Sequence, residues 1–328
     1  MPISSSSPSS PSSNKPLAYA LNDAVSSAPI DLHRVRTLFA DPSCVRESEF
    51  LRREISTRMH ERLALVKILP KRVLDAGCGD GPDIYTLQQR FAQARILGLD
   101  ASFGMLSAAQ NQQEAAQSSV NRLLKKWLPI KSSSLESDLL CGDFAALPLA
   151  RDVVDLVWSN LALHWHPQPD RVFAEWRRVL RVDGLLMFSC FGPDTFKELR
   201  GAFAAANPVS HMPLLPFVDM HDFGDMLVNV GFSTPVMDME TITVTYDTLE
   251  KLLADVKSFG GNPLVTRSRS LVGRAAWQRV VDAIEATRRA DGKLPLTFEI
   301  IYGHAFRPAP KKTANGESVV RWDLDKKR

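Results

Sequence analysis

The chain has a glycine-rich loop between an apolar segment and a helical one. Residues 72–76 read ArgValLeuAspAla, a short run typical of a buried strand, and residues 77–82 read GlyCysGlyAspGlyPro. Glycine adopts positive φ without strain and lets the backbone approach a ligand closely, and a helix start adds unpaired N–H donors. A strand, a glycine turn and a helix in this order predict an α/β fold with a ligand at the loop.

The spacing of the glycines distinguishes classes of nucleotide-binding loop. A dinucleotide fingerprint would require glycine at position 82, where this chain has Pro82, and the triphosphate-binding pattern GxxxxGKS/T is absent from the sequence. The observed pattern, Asp75–x–Gly77–x–Gly79–x–Gly81, is that of loops that bind S-adenosylmethionine (SAM). These four residues are therefore candidate SAM-binding residues.

Apolar strands alternate with helical segments along the chain. Strands are predicted at 72–77, 95–100, 139–143, 153–160, 185–191, 241–246 and 296–303, and helices at 51–63, from about 82, and at 103–116, 170–180, 218–230, 248–258 and 275–289. Strands that are apolar on both faces and alternate with helices predict a doubly wound, mostly parallel seven-stranded α/β sheet of Rossmann-like type. The two late strands are expected to form an antiparallel pair.

The two ends of the chain differ from its body in composition. Residues 1–30 are rich in Ser and Pro and are expected to be disordered. Residues 307–328 are basic and are expected to form a flexible tail. Between them we expect one SAM-binding α/β domain over 31–306, with helical lid segments near 192–220 and 248–293.

Charge and hydropathy exclude several classes of protein. Residues 307–328 carry seven Lys or Arg and three Asp or Glu, so the remainder of this +3 chain is close to neutral, which argues against a nucleic-acid-binding surface. No apolar run approaches the ~18 residues of a transmembrane helix, no secretory leader is visible, and the four cysteines lack paired spacing. We therefore expect a cytoplasmic protein without nucleic-acid or membrane partners. A monomer is expected as well, although these features do not bear on the oligomeric state.

Acidic or amide side chains follow three successive predicted strands. Asp100 ends the second strand, where a carboxylate can accept hydrogen bonds from both hydroxyl groups of a ribose. Asp143 ends the third and can accept from an adenine amino group, with Phe144 beside the ring. Asn160 ends the fourth strand, and Met105 lies in the helix after the second. We assign all five to the SAM site; the alternative is that the polar side chains cap helices.

Four longer segments indicate which family of SAM-binding proteins the chain resembles. They are CysGlyAspPheAlaAlaLeuProLeu at 141–149, SerAsnLeuAlaLeuHisTrp at 159–165, PheGlyProAspThrPheLysGluLeuArg at 191–200 and LeuProLeuThrPheGluIleIleTyrGly at 294–303. Together with the glycine loop, they make residues 33–306 similar to the malonyl-[acyl-carrier-protein] O-methyltransferases of biotin synthesis (the BioC family), which are class I SAM-dependent methyltransferases.

The resemblance implies a reaction and a ligand arrangement. The reaction is methyl transfer from SAM, the co-substrate, to the free carboxylate of a malonyl thioester on acyl carrier protein or coenzyme A. This is an early step towards the pimeloyl precursor of biotin. The resemblance also implies that Gly77, Gly79 and Gly81 surround the methionine part of SAM, while Asp100 holds the ribose and Asp143 the adenine.

The nucleophile of this reaction would be the malonyl carboxylate. With a pKa near the ~4 of simple carboxyls it is ionised at neutral pH, so no general base is needed. A desolvated carboxylate does need a charged partner, and Arg can pair with it in a bidentate manner. Arg200 is the candidate within the matching segment, and Arg267, Arg269 and Arg274 are the alternatives.

Two residues after the fourth strand complete the candidate catalytic set. Trp165 can wall a cationic sulfonium by cation–π contact, and His164 can hydrogen-bond the substrate. The alternative for both is packing within an aromatic cluster. The histidines lack metal-ligand spacing, so no metal is expected.

Two other functions stay open at the level of sequence. One is SAM-dependent methylation of another small molecule, such as a quinone or lipid precursor, which would usually need a base such as His164. The other is a methyltransferase-fold hydroxylase or assembly factor, because complex I assembly proteins share stretches like those at 159–165 and 191–195. The C-terminal segments favour the malonyl thioester.

Overall fold

The computed structural model describes residues 29–45, 48–116, 138–206, 214–259, 261–267 and 273–310. Most of both predicted tails lies outside the described residues. Where the ends are described, Ile30 forms an isolated β-bridge with Leu264, and Arg307 forms an ion pair with Asp152. Within the described part of the chain, no helix is long and apolar enough to cross a membrane.

Seven strands form one sheet in the order β3-β2-β1-β4-β5-β7-β6. They are β1 (Arg72–Ala76), β2 (Arg95–Asp100), β3 (Asp138–Cys141), β4 (Val154–Asn160), β5 (Leu180–Phe191), β6 (Ser233–Tyr246) and β7 (Leu294–Phe306). The first five are parallel, and β7 runs antiparallel to both β5 and β6. The predicted fold class is confirmed, and the carboxyl ends of β1, β2 and β4 meet at one edge.

Helices cover both faces of the sheet. They are α1 (Leu32–Leu38), α2 (Glu49–Ala64), α3 (Pro82–Arg90), α4 (Phe103–Ala116), α5 (Pro169–Val179), α6 (Lys197–Ala206), α7 (Met220–Val230), α8 (Leu249–Ser258) and α9 (Arg274–Glu285). As the four-residue spacing predicts, α2 buries Leu51, Ile55, Met59 and Leu63. On the other face Phe173 and Trp176 of α5 pack in one core with Phe188 of β5.

The late strands are longer than the sequence predicts. β6 begins at Ser233 instead of at residue 241, and β7 extends beyond both of its predicted ends. Pro235, Asp238 and Glu240 weaken the local strand signal before residue 241. Pairing with β7 continues through this stretch as far as Ser233, so the tertiary contact overrides the weak local preference.

Candidate active site

A cavity lies at the carboxyl ends of β1, β2 and β4, beside the glycine loop. Of the predicted site residues, those that line it are Gly77, Gly79, Asp100, Met105, Phe144, Asn160, His164 and Trp165. Asp75, Gly81, Asp143 and Arg200 are not part of its lining. Open α/β sheets bind ligands at this edge, so the cavity is the candidate active site.

The glycine loop is shaped by both backbone conformation and space. Gly77, Gly79 and Gly81 have φ of +81°, +55° and +85°. The Gly77 N–H donates to the carbonyl oxygen of Leu99 at 2.8 Å, which ties the loop to β2. A Cβ added to Gly77 would lie 2.3 Å from the Cβ of Ala162, so no other residue fits at position 77 without a shift.

The carboxylate of Asp100 organises the loop and still faces the cavity. Its Oδ2 accepts from the Gly79 N–H at 2.9 Å, and its Oδ1 accepts from the Ser102 N–H at 2.8 Å. Burial raises the pKa of Asp100, while these main-chain donors lower it. A carboxylate has about four acceptor sites, so Asp100 can accept further hydrogen bonds from a ligand.

Asp75 lies beneath the loop and is 1% exposed. Its Oδ2 has no hydrogen-bond partner among the residues that the structure describes. Burial raises the pKa of Asp75 well above its ordinary value, and the charges of Asp83 and Asp100 raise it further. An unpaired buried carboxyl oxygen is unfavourable by itself, and the raised pKa favours the neutral form of this side chain.

Of the two residues considered after β3, Phe144 lines the cavity and Asp143 does not. The Phe144 ring lines the cavity and packs against His166 and Trp176, with both ring-centre distances at 5.9 Å. Asp143 Oδ1 instead accepts from the Ala145 N–H at 2.8 Å. A ligand would therefore meet the ring of Phe144 before the carboxylate of Asp143.

The Asn160 side chain is engaged by the protein. Its amide nitrogen donates to Asp83 Oδ2 at 3.1 Å and to the carbonyl oxygen of Arg52 at 3.2 Å. Its amide oxygen accepts from the hydroxyl of Ser189 at 2.8 Å. Asn160 thus contributes to the cavity wall while its amide joins α2, the start of α3 and β5.

Helix α2 carries a polar stripe formed by Arg52, Ser56 and His60. These residues are not among the site residues predicted from the sequence. The Ser56 hydroxyl bonds the carboxylate of the buried Asp83, and the indole Nε1 of Trp158 donates to Asp83 Oδ2 at 3.1 Å. The His60 ring stacks on Trp158 with a ring-centre distance of 4.5 Å. The four-residue spacing of these polar side chains, next to the apolar stripe, is the signal that points to them.

Arg52 is the one Lys or Arg that lines the cavity within the described residues. Its Nη1 pairs with Asp80 Oδ1 at 3.1 Å, and its Nη2 donates to the carbonyl oxygen of Val45 at 3.1 Å. Its Nε is buried and has no partner in the described chain. A Cβ at Gly79 would lie 4.0 Å from Nη1, so the guanidinium faces the glycine loop.

His164 lies within an aromatic cluster at the opposite side of the cavity. Its ring centre is 4.9 Å from that of Trp165, 4.8 Å from Phe191 and 5.6 Å from Phe217. Burial lowers the pKa of His164 to about 3, so the ring is neutral at physiological pH. Both ring nitrogens are buried, and neither has a partner among the described residues.

We expect His164 to make stability depend on pH. Its pKa is about 3 when folded and ~6.5 when unfolded, so below pH ~6.5 the unfolded state binds a proton that the native state does not. Between pH 7 and pH 5 the wild type should therefore lose about 2 kcal/mol more than His164→Gln. Urea unfolding at both pH values measures the difference, and equal losses would show that His164 is not buried as a neutral ring.

Three chain segments meet over the Trp165 side of the cavity, and we call them the cover: residues 29–39, 214–217 and 261–265. The Asp31 N–H donates to the carbonyl oxygen of Pro263 at 2.9 Å. Ile30, Leu215 and Leu264 form a small buried cluster against which Trp165 packs. The cover uses part of both predicted lid segments together with the N-terminal segment.

The arginines considered for the malonyl carboxylate are placed differently. Arg200 Nε donates to the carbonyl oxygen of Thr195 at 3.1 Å, and Arg200 Nη2 donates to that of Leu215 at 2.7 Å. Arg267 Nη1 donates to the carbonyl oxygen of Leu264 at 3.2 Å. Arg274 begins α9, and Arg269 lies outside the described residues.

Comparisons with known proteins agree with this architecture. A family model described as a methyltransferase domain matches residues 74–188. The malonyl-[acyl-carrier protein] O-methyltransferase of Laribacter hongkongensis is 43% identical over 89% of this chain and 96% of its own length. That of Gallionella capsiferriformans is 43% identical over 84% of this chain and 90% of its own length. The chain belongs to the malonyl-[acyl-carrier protein] O-methyltransferase family.

Membership of the malonyl-[acyl-carrier protein] O-methyltransferase family confirms the resemblance found in the sequence. Solved structures support the fold. The YcgJ protein from Bacillus subtilis has a TM-score of 0.51 at 14% identity and covers 77% of this chain and 98% of its own. A putative methyltransferase from Bacillus halodurans has a TM-score of 0.51 at 17% identity and covers 77% and 99%. Both likenesses concern the fold alone.

Proposed function

We propose that this protein transfers a methyl group from SAM to the free carboxylate of a malonyl thioester carried by acyl carrier protein, in biotin synthesis. The observation that carries the proposal is the cavity at the glycine loop, in a chain of the malonyl-[acyl-carrier protein] O-methyltransferase family. Its loop side is polar and its far side is aromatic, which suits a charged co-substrate next to an acceptor.

The groups on the loop side fit the parts of SAM. Asp100 has acceptor capacity left for the ribose hydroxyls, and Phe144 offers a ring to adenine, with Asp143 next to it in the chain. Arg52 suits the carboxylate of the methionine part, beside Gly79. When bound, SAM supplies an activated methyl group on a sulfonium.

On the acceptor side, we assign His164 to hold the substrate and Trp165 to wall the reaction centre. A neutral imidazole offers one N–H donor and one acceptor, and both nitrogens of His164 are without partners in the described chain. The malonyl carboxylate is already ionised, so His164 orients it and does not deprotonate it. Orientation of two reactants can supply about 7 kcal/mol or more of the barrier reduction.

The proposal also covers the thioester carrier, the metal requirement, the cellular compartment and the oligomeric state. Acyl carrier protein follows from the names of the relatives, and malonyl-coenzyme A is the alternative carrier. We propose a cytoplasmic monomer that uses SAM without a metal and has no nucleic-acid or membrane partner. In the part of the chain that is described, no three His, Cys, Asp or Glu side chains cluster as metal ligands.

Intact-mass measurement of the carrier tests the reaction. With SAM and the purified protein, malonyl-acyl carrier protein should gain one methyl group, and the acetyl form should gain none because it has no free carboxylate. An Asp100→Ala variant serves as the control that should not react. If calorimetry shows SAM binding to the wild type while the malonyl carrier keeps its mass, the proposed function is wrong.

A further inference from the structure

A loop and a strand that are about a hundred residues apart in sequence are locked together beside the cavity. The Gly192 N–H donates to the carbonyl oxygen of Glu299 at 2.9 Å, and the Asp194 N–H donates to Glu299 Oε2 at 2.6 Å. Thr195 Oγ1 donates to the Glu299 carbonyl at 3.0 Å. A Cβ at Gly192 would meet Glu299 Cδ at 2.7 Å, so the backbone of the loop lies directly against the Glu299 side chain.

Arg200 connects this loop to the cover segment 214–217. Its Nε donates to the main-chain oxygen of Thr195 and its Nη2 to that of Leu215, so one guanidinium joins the two segments. Its guanidinium carbon lies 5.7 Å from the ring centre of Phe217, over the ring face. Burial lowers the pKa of Arg200, but a guanidinium stays charged at neutral pH, so these hydrogen bonds are charge-assisted.

Phe217 in turn packs against the acceptor side of the cavity. Its ring meets His164 edge to face at a ring-centre distance of 5.6 Å, and it lies 5.5 Å from Phe191. Both His164 and Phe191 line the cavity. Leu215, two residues earlier, is buried in the cover. A continuous set of contacts therefore runs from the locked loop through Arg200 to His164.

We propose that Arg200 is a positioning residue that holds Phe217 against His164 and so shapes the acceptor end of the cavity. This role replaces the predicted pairing of Arg200 with the malonyl carboxylate, and it rests on the proposed function for the identity of the acceptor. Arg200 is not part of the cavity lining. Turning its guanidinium towards a ligand would remove the donor from the carbonyl of the buried Leu215, which is unfavourable.

Amide hydrogen exchange tests whether Arg200 holds the cover segment 214–217 in place, and it requires no turnover. In Arg200→Gln, the peptide that contains residues 214–217 should exchange about tenfold faster, because its tie to the locked loop is lost. Arg279→Gln is the matched control, since Arg279 Nε donates to the carbonyl oxygen of Ala206, at the other end of the connection to residue 214. It should leave the exchange of 214–217 unchanged. Unaltered exchange in Arg200→Gln would overturn the proposal.

A double-mutant cycle tests whether Arg200 acts through Phe217. Arg200→Gln and Phe217→Ala should each raise KM for the malonyl carrier about tenfold, and the double variant should show about the same rise because both remove one element. Affinity for S-adenosylhomocysteine should stay unchanged, which also shows that the variants fold. Arg200→Lys should recover part of the loss, because an ammonium can still bond one of the two carbonyls.

The outcomes separate the two proposals. If the effects of Arg200→Gln and Phe217→Ala on KM multiply, Arg200 contacts the substrate independently of Phe217 and the positioning role is wrong. If the wild type does not methylate the malonyl carrier at all, the proposed function fails. The exchange experiment still tests in that case whether Arg200 holds the segment 214–217, because it requires no substrate.

Discussion

Gly77→Ala is expected to lower the free energy of unfolding by about 2–5 kcal/mol and to remove SAM binding. The new Cβ would lie 2.3 Å from the Cβ of Ala162, at a φ of +81° that side-chain-bearing residues rarely adopt. Overpacking and left-handed strain therefore act together. Relief of the clash would move the loop away from β4 and disturb the cavity wall. Urea unfolding and calorimetric titration with S-adenosylhomocysteine measure the two effects.

Gly79→Ala is the matched control for this substitution. Its φ is +55°, but the atom nearest to its new Cβ is Arg52 Nη1 at 4.0 Å, so only the backbone strain of about 1–2 kcal/mol applies. Adding Ala162→Gly to Gly77→Ala should restore the part of the stability that the clash removes. If Gly77→Ala is no less stable than Gly79→Ala, the close packing of the loop on Ala162 is not a determinant of the fold.

Arg52→Gln is expected to weaken S-adenosylhomocysteine binding by about 2–3 kcal/mol, roughly 30- to 150-fold. The guanidinium lines the cavity, faces the glycine loop and has a buried Nε without a partner in the described chain. It is therefore placed to pair with the carboxylate of the amino-acid part of the ligand. Binding of 5′-methylthioadenosine, which lacks that part, should change little. Calorimetry with both ligands measures the contrast.

Arg53→Gln is the control for Arg52→Gln, because the neighbouring Arg53 side chain is 75% exposed and pairs with Glu49 on the helix surface. It should bind both ligands as the wild type does. Equal losses of both ligands in Arg52→Gln would contradict the carboxylate contact. They would show that Arg52 acts through its ion pair with Asp80, by holding the loop in shape.

The strand-end residues show why part of the site is predictable from sequence. Gly77 and Gly79 follow β1 and Asp100 ends β2, and parallel strands bring their carboxyl ends to the same edge. A residue at the carboxyl end of a predicted parallel strand can therefore be placed at this edge of the sheet from the sequence alone. Asp143 shows the limit of this rule. β3 ends at Cys141, and the turn that follows directs the carboxylate to the Ala145 N–H instead of to the cavity lining.

The polar stripe of α2 and the role of Arg200 could not be predicted in the same way. Periodicity identifies which side of a helix is buried, but it does not say which element lies opposite. Arg52 faces the glycine loop because α2 packs against β4 and β5, and Arg200 meets Leu215 because the cover segment 214–217 lies beside α6. Each of these contacts joins elements whose separation in space is set by the packing of the whole sheet.

The amino-acid sequence by itself determined the α/β class, the mostly parallel sheet, the glycine loop and the family, because these follow from local periodicity and from residues adjacent in the chain. The tertiary structure alone decided the full length of β6, the convergence of the cover segments and the position of Arg200. Arg34 and Asn262, 228 residues apart, are hydrogen-bonded across the cover. Such contacts are fixed by the packing of remote segments on a common core, for which no local pattern carries a signal.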